Sequence, residues 1–233
     1  MRIALQPAFL LHKKPYRDTS RIYDLFTLDY GVLSVIAKSI WRRERGGSQG
    51  SLIQPFAPLL ISCVGRSSLK TLTNVELADC HKNLNGERIF CALYLNELLI
   101  KLVGRNIPYP ALFGYYANSL DALASASSIE QPLRSFELFL LTELGYEIDL
   151  KRDSSGSPIY RYSDYLYEPA QGFTKIQTSI VSGSKVYSGG DILAMAEGEF
   201  DDVMAKLKML VRDTLNYHLG DKKLLSRSFF SSK

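Results

Sequence analysis

The hydrophobic pattern of this 233-residue chain changes period once, near Asp79. Before that point the apolar residues come in short runs separated by turn residues, which is the pattern of strands. Ala8-Phe9-Leu10-Leu11 ends at Lys13-Lys14-Pro15, and Arg21 to Thr27 is rich in aromatic and β-branched residues. Asp29-Tyr30-Gly31 reads as a turn, with Gly31 free to take positive φ, so residues 21–37 are predicted to form a hairpin. A loop with three glycines and four charged residues covers 39–51. Pro55 to Val64 resumes the apolar run. Leu69 to Val75 alternates, with Leu69, Thr71, Thr73 and Val75 expected on one side and Lys70 and Asn74 on the other.

Five short strands with tight turns and one long loop fit a small closed barrel of the OB type over residues 1–78. From Asp79 onward the spacing is helical. Glu87 to Val103, Pro110 to Ala124, a stretch from Pro132 to Gly145, and Asp202 to His218 are predicted helices. Pro132 suits a first helical turn, and Gly145 and Gly220 suit the positions after helix ends. The tyrosine-rich stretch at about 153–188 reads as a small β-rich insertion. The expected class is therefore α+β and multi-domain: an OB-fold barrel over 1–78, then a mainly helical domain over 79–233 carrying that insertion.

Charge is distributed unevenly. Residues 1–78 hold 11 Lys/Arg against 5 Asp/Glu, whereas the remaining 155 hold 17 against 19. A basic barrel on a mildly acidic body points to a polyanion, and nucleic acid is the usual one. Lys13, Lys14, Arg17 and Arg21 cluster near the first strand connection. Lys38, Trp41, Arg42, Arg43 and Arg45 fall in or beside the long loop, and Arg66 and Lys70 flank the last turn. An aromatic ring beside arginines is the chemistry of single-strand binding, in which charge follows the backbone and the ring stacks on a base. Trp41 equally suits the mouth of the barrel, as a cover.

Other chemistries lack their residues. Gly65-Arg66-Ser67-Ser68-Leu69-Lys70-Thr71 has no glycine before its lysine and lies between strands, so it is not a phosphate loop. Cys63, Cys80, His81 and Cys91 contain no C-x-x-C pair, so no structural zinc is expected. His12, His81 and His218 have no Ser or Cys elbow near them in sequence, so no triad is expected. Three cysteines cannot make a disulfide framework, and no apolar run reaches the roughly 18 residues of a membrane span. A reduced cytoplasmic protein that is not an enzyme is the expectation.

These residues also resemble a known family. Ala8-Phe9-Leu10-Leu11-His12, Pro15 to Ser20, Asp24-Leu25-Phe26-Thr27, Gln54 to Leu59, Leu93-Tyr94-Leu95-Asn96-Glu97-Leu98-Leu99, Leu133-Arg134-Ser135-Phe136-Glu137-Leu138 and Leu144-Gly145-Tyr146 follow the pattern of bacterial RecO in order. Gly220 with Leu225-Ser226-Arg227 is similar to that family's closing motif, with Leu225 in place of a lysine. The resemblance implies binding of single- and double-stranded DNA and annealing of complementary strands. It also implies contact with the C-terminal tail of single-stranded-DNA-binding protein (SSB) and cooperation with RecR in loading RecA, with no cofactor. Many RecO proteins carry a four-cysteine zinc site after the L-G-Y motif. Residues 147–190 hold no cysteine, so the chain resembles the zinc-free branch and no metal is expected. The resemblance gives the SSB tail an acidic, apolar-ended character with a free carboxylate. Its receptor needs an apolar pocket with a cation at the edge, which assigns Arg134; the alternative is an i,i+3 pair of Arg134 with Glu137. An RNA-binding OB protein is the rival reading, because phosphate contacts do not separate RNA from DNA.

Overall fold

The computed structural model describes residues 1–17, 20–37, 52–79, 84–177 and 186–230. Five strands, β1 (Arg2–Tyr16), β2 (Ser20–Thr27), β3 (Gly31–Ala37), β4 (Pro58–Val64) and β5 (Leu69–Leu77), close into a barrel in the order β1-β2-β3-β5-β4. All neighbours are antiparallel except β3 and β5, which run parallel and complete the closure. Leu10, Leu25, Leu33, Val35, Leu59, Ile61, Leu72 and Val75 fill the interior. The strand pattern puts the next residues, Phe9 and Phe26, on the opposite face of β1 and β2. They are buried there against Phe113 and Tyr116.

β5 departs from the expected alternation. Leu72 stands opposite Cys63 and Asn74 opposite Ser62, which leaves Thr73 as an extra residue. This bulge reverses the phase halfway along the strand. The inward residues are Lys70, Leu72 and Val75, and Thr71 and Thr73 do not share their face.

Gly31 ends the β2–β3 turn at φ 60°, the left-handed region open to glycine. A Cβ there would stand 1.9 Å from the Ile107 carbonyl oxygen, so the turn also needs the missing side chain. Gly31→Ala is expected to destabilise the barrel by about 3 kcal/mol or more, read as a lowered thermal midpoint.

Two compact units emerge, Met1–Ile129 with Lys223–Lys233, and Glu130–Lys222. The first contains the barrel, α1 (Glu87–Leu102), α2 (Pro110–Ser125) and a 3₁₀ turn, Leu225–Phe230. Asn96 on α1 is 2% exposed. Its Nδ2 donates to the carbonyls of Leu10 and Leu11, each at 3.2 Å, and its Oδ1 accepts from the Tyr116 hydroxyl. These carbonyls lie where the register of β1 on β2 shifts between Leu10 and His12, so the amide serves backbone at an interruption of the ladder.

The neighbouring Glu97 holds the last turn. It accepts from the Leu225 and Ser226 N–H groups at 2.9 and 2.8 Å and from the Ser226 hydroxyl, and Lys101 lies 3.1 Å away. Burial pushes its carboxyl up, but the hydrogen bonds from Ser226, Leu225 and Lys101 outweigh this and leave it below the ordinary glutamate value. A lowered folded value means stability that is present above the ordinary range and lost as pH falls through it. The protection of the Leu225 and Ser226 amides against exchange is therefore expected to fall below about pH 4, ahead of that of barrel amides.

The second unit holds α3 (Glu130–Glu143), β6 (Asp164–Glu168), β7 (Gly172–Lys175), β8 (Val186–Ser188), α4 (Gly189–Glu197) and α5 (Met204–Leu219). The three strands form a sheet in the order β7-β6-β8. Tyr165, Tyr167, Phe173 and Tyr187 are buried around it, and the Tyr167 hydroxyl lies 2.7 Å from Thr214 Oγ1 on α5. No helix among the described residues is long and apolar enough to cross a membrane.

Candidate nucleic-acid interface

The register of the barrel gathers basic residues at one rim. β1 and β2 pair out to Tyr16 and Ser20, so Lys13 lies opposite Tyr23, Lys14 opposite Ile22, and Pro15 opposite Arg21. Lys13, Lys14, Arg17 and Arg21 are all exposed on this hairpin. Among the described residues none of the four has a carboxylate within ion-pair distance. Arg17 takes φ 52°, and its guanidinium carbon stands 5.4 Å from the Tyr16 ring centroid. Tyr16 is an aromatic member of this surface that the sequence reading did not single out. Its signal was its place between the lysines and Arg17.

Arg21 pairs with Ala37, the last described residue of β3, while Ser34, Val35 and Ile36 pair in parallel with Leu69, Lys70 and Thr71. β5 thus runs from Leu69 beside Ser34 towards the Ala37 end, and the Gly65 N–H donates to the Met1 carbonyl, so the β4–β5 turn lies towards the start of β1, at the opposite end of the strands from Arg21. Arg66 is exposed in that turn. Lys70 is only 6% exposed, and its ammonium donates to the Ser67 carbonyl at 3.2 Å. Its side chain fastens the turn from inside, where the phase reversal of β5 has carried it. Lys38, Trp41, Arg42, Arg43 and Arg45 lie outside the described residues.

Asp24, on β2 near the rim, is already engaged. It is 4% exposed; its Oδ1 accepts from the Ser34 hydroxyl and from Arg105 at 3.3 Å, and His12 Nδ1 stands 4.0 Å from its Oδ2. Arg105 arrives from the α1–α2 connection, which bridges to Gly31 and Val32. A reading confined to the strand segment could not find it. Burial pushes the Tyr23 hydroxyl up, and the positive field of Arg21 works against that shift.

A surface of unpaired, solvent-exposed cations favours phosphates because binding releases counterions, and it carries no base readout of its own. The two-stranded hairpin also carries a half-buried aromatic ring, Tyr16, among the charges, and a ring beside cations suits unstacked bases. Among the described residues no three His, Cys, Asp or Glu side chains converge as a metal ion would require.

Arg134 lies in the second unit, on α3. It is 8% exposed, its Nη1 stands 2.9 Å from Glu137 Oε2, and its Nε is buried without a partner. Glu137 is fully buried. The i,i+3 pair anticipated from spacing is thus present, and one guanidinium N–H group is left over.

Comparison with known proteins extends this picture over the whole chain. Residues 1–81 match the family described as Recombination protein O N terminal, and residues 83–228 match Recombination protein O C terminal. A DNA repair protein RecO of Nitrosococcus oceani is 43% identical over 230 residues, covering 97% of this chain and 92% of the relative. Those of Photobacterium profundum and Tolumonas auensis are 41% and 42% identical, covering 97% and 98% of this chain and 95% of each relative.

Proposed function

We propose that this chain, which belongs to the RecO family of DNA repair proteins, is a recombination mediator that binds single- and double-stranded DNA and anneals complementary strands. With RecR it helps load RecA onto SSB-coated DNA. It works in the cytoplasm at the nucleoid, by binding and pairing rather than by making or breaking bonds. The observation that carries this reading is the set of four exposed cations on the β1–β2 hairpin, without a carboxylate partner among the described residues, at the rim of a closed barrel. Each phosphate neutralised there adds affinity that falls with salt, and two strands held on one basic surface repel each other less. Lys13, Lys14, Arg17 and Arg21 make these contacts; Arg66 on the β4–β5 turn, and Lys38, Trp41, Arg42, Arg43 and Arg45 outside the described residues, are further candidates.

The test is annealing of two complementary oligonucleotides coated with SSB, followed by fluorescence over a salt series. Acceleration that fades with salt supports the mediator. Absence of acceleration, with RNA bound as tightly as DNA, rejects it in favour of an RNA-binding protein.

Arg134, paired with Glu137 on α3, is the proposed cation for the SSB tail. Arg134→Ala alone would leave a buried carboxylate, at a cost of about 3–5 kcal/mol. The informative variant is Arg134→Met with Glu137→Gln, which removes both charges together. Its affinity for a tail peptide is expected to fall about tenfold or more, while bare-DNA binding is retained. Equal loss of both, measured by titration, rejects the assignment.

A further inference from the structure

The turn between Ile159 and β6 holds two tyrosine rings and a guanidinium in solvent. Tyr162 is 98% exposed and Tyr160 51%, and Arg161 between them is exposed. A single exposed ring is ordinary on any protein surface. Here, however, the backbone beneath the rings is locked at several points. The Tyr160 N–H donates to the hydroxyl of the buried Tyr165 at 2.8 Å. The Ser163 N–H donates to the Tyr160 carbonyl at 3.1 Å, and the Gly189 N–H to the Ser163 carbonyl at 2.7 Å.

Glycine is required under this turn. A Cβ at Gly189 would stand 1.9 Å from the Tyr160 carbonyl oxygen and 3.2 Å from that of Ser163. A Cβ at Gly190 would stand 3.9 Å from Arg161 Cγ, so the stem of Arg161 lies over it. From β7, Lys175 places its ammonium 4.7 Å from the Tyr160 ring centroid. The backbone that carries the rings is thus ordered in advance, so a ligand that meets them does not have to order the turn.

We propose that Tyr160, Arg161, Tyr162 and Lys175 form a stacking platform for unpaired bases of single-stranded nucleic acid, separate in sequence from the barrel. The proposal rests on the reading of DNA as this protein's ligand. The Tyr162 ring takes a base, the Tyr160–Lys175 pair offers a second ring with its cation, and Arg161 meets the phosphate between them. A duplex offers no unstacked base to such rings. The local charge favours stacking over phosphate as the source of affinity. Residues 151–175 carry four Lys/Arg against three Asp/Glu, so the surplus is small. Asp153 is moreover engaged in its own turn by Ser155 and Ser157.

That balance sets the test. The full chain is titrated, over a salt series, with labelled oligothymidylate, with an abasic oligonucleotide of equal length and with a duplex. Tyr162→Ala is expected to weaken oligothymidylate binding about tenfold, the value of one stacked base. The slope of log affinity against log salt should stay unchanged, as should the affinities for the abasic strand and the duplex. Tyr162→Phe should restore the loss. Because the ring is exposed, the thermal midpoint should not move. Lys13→Ala with Lys14→Ala should instead lower the slope on all three ligands. An unaffected Tyr162→Ala beside a weakened lysine variant overturns the platform and leaves DNA as the ligand. Equal loss on oligothymidylate and abasic strand also overturns it, since no base is then being read. Selective loss of SSB tail-peptide binding in Tyr162→Ala overturns it too, and reassigns the turn to a protein partner. Failure of the unaltered chain to bind any of the three ligands removes the DNA reading itself.

Discussion

Replacing Lys13, Lys14, Arg17 and Arg21 together with alanine is expected to lower single-strand affinity several hundred-fold at 0.1 M salt. The magnitude follows from counterion release. Each phosphate neutralised on a single strand contributes roughly 0.7 to the slope of log affinity against log salt, so four contacts remove about 2.8 from it. Taken from a 1 M reference to 0.1 M, that slope change is worth about 600-fold. Titrations at four or five salt concentrations measure both quantities at once. The variant should remain folded, because all four side chains are exposed and unpaired among the described residues. Lys70→Met is the contrasting control. Its ammonium is spent on the Ser67 carbonyl inside the barrel, so it should loosen the β4–β5 turn without changing the slope. A slope that does not change in the fourfold variant would remove the hairpin from the interface.

The second large effect concerns stability. Asn96→Leu keeps the branched shape of the side chain but removes both N–H donors to the Leu10 and Leu11 carbonyls. Buried backbone acceptors left without partners cost about 1–3 kcal/mol each, so a loss of about 3 kcal/mol is expected. For a chain of this size that is a fall of roughly 6–12 °C in the midpoint of the barrel-containing unit, read by thermal melting. Tyr116→Phe removes only the hydroxyl that Asn96 accepts from, and should cost about 1 kcal/mol. A cost for Asn96→Leu no larger than that of Tyr116→Phe would mean that the carbonyls find other donors.

The same residue shows where sequence reading stops. Asn96 is visible as a polar interruption of an apolar helix, and nothing near it in sequence says what it serves. Its purpose depends on a register shift in β1, more than eighty residues earlier. Lys70 is a parallel case. Alternation is a sound guide to strand faces until one extra residue reverses it, and Thr73 does so without a turn residue to announce it.

The helix starts and stops were legible because they rest on local backbone chemistry. Gly145 and Gly220 follow their helices at φ 77° and 56°. α4 was missed because it opens on Gly189 and Gly190, where no hydrophobic period can be seen. Its caps were nonetheless present, in Ser188 accepting from the Asp191 N–H and in Gly198 at φ 80°. The exposed hairpin cations were readable from charge alone. The engagement of Arg105 with Asp24 was not, because it requires the chain to return to the barrel after α1.

That return has a counterpart at Leu225 and Ser226, and it bears on the order of events during synthesis. Glu97 leaves the ribosome 129 residues before Ser226, the group that will neutralise its demand for donors. At bacterial elongation rates of roughly 5–20 residues per second, the wait is about 6–26 s. Through that interval the nascent barrel and α1 can assemble, but the carboxylate must remain hydrated. The whole of Glu130–Lys222 emerges before the first unit receives its closing turn. The inserted unit therefore has time to fold first, and the earliest part of the chain is the last to be finished.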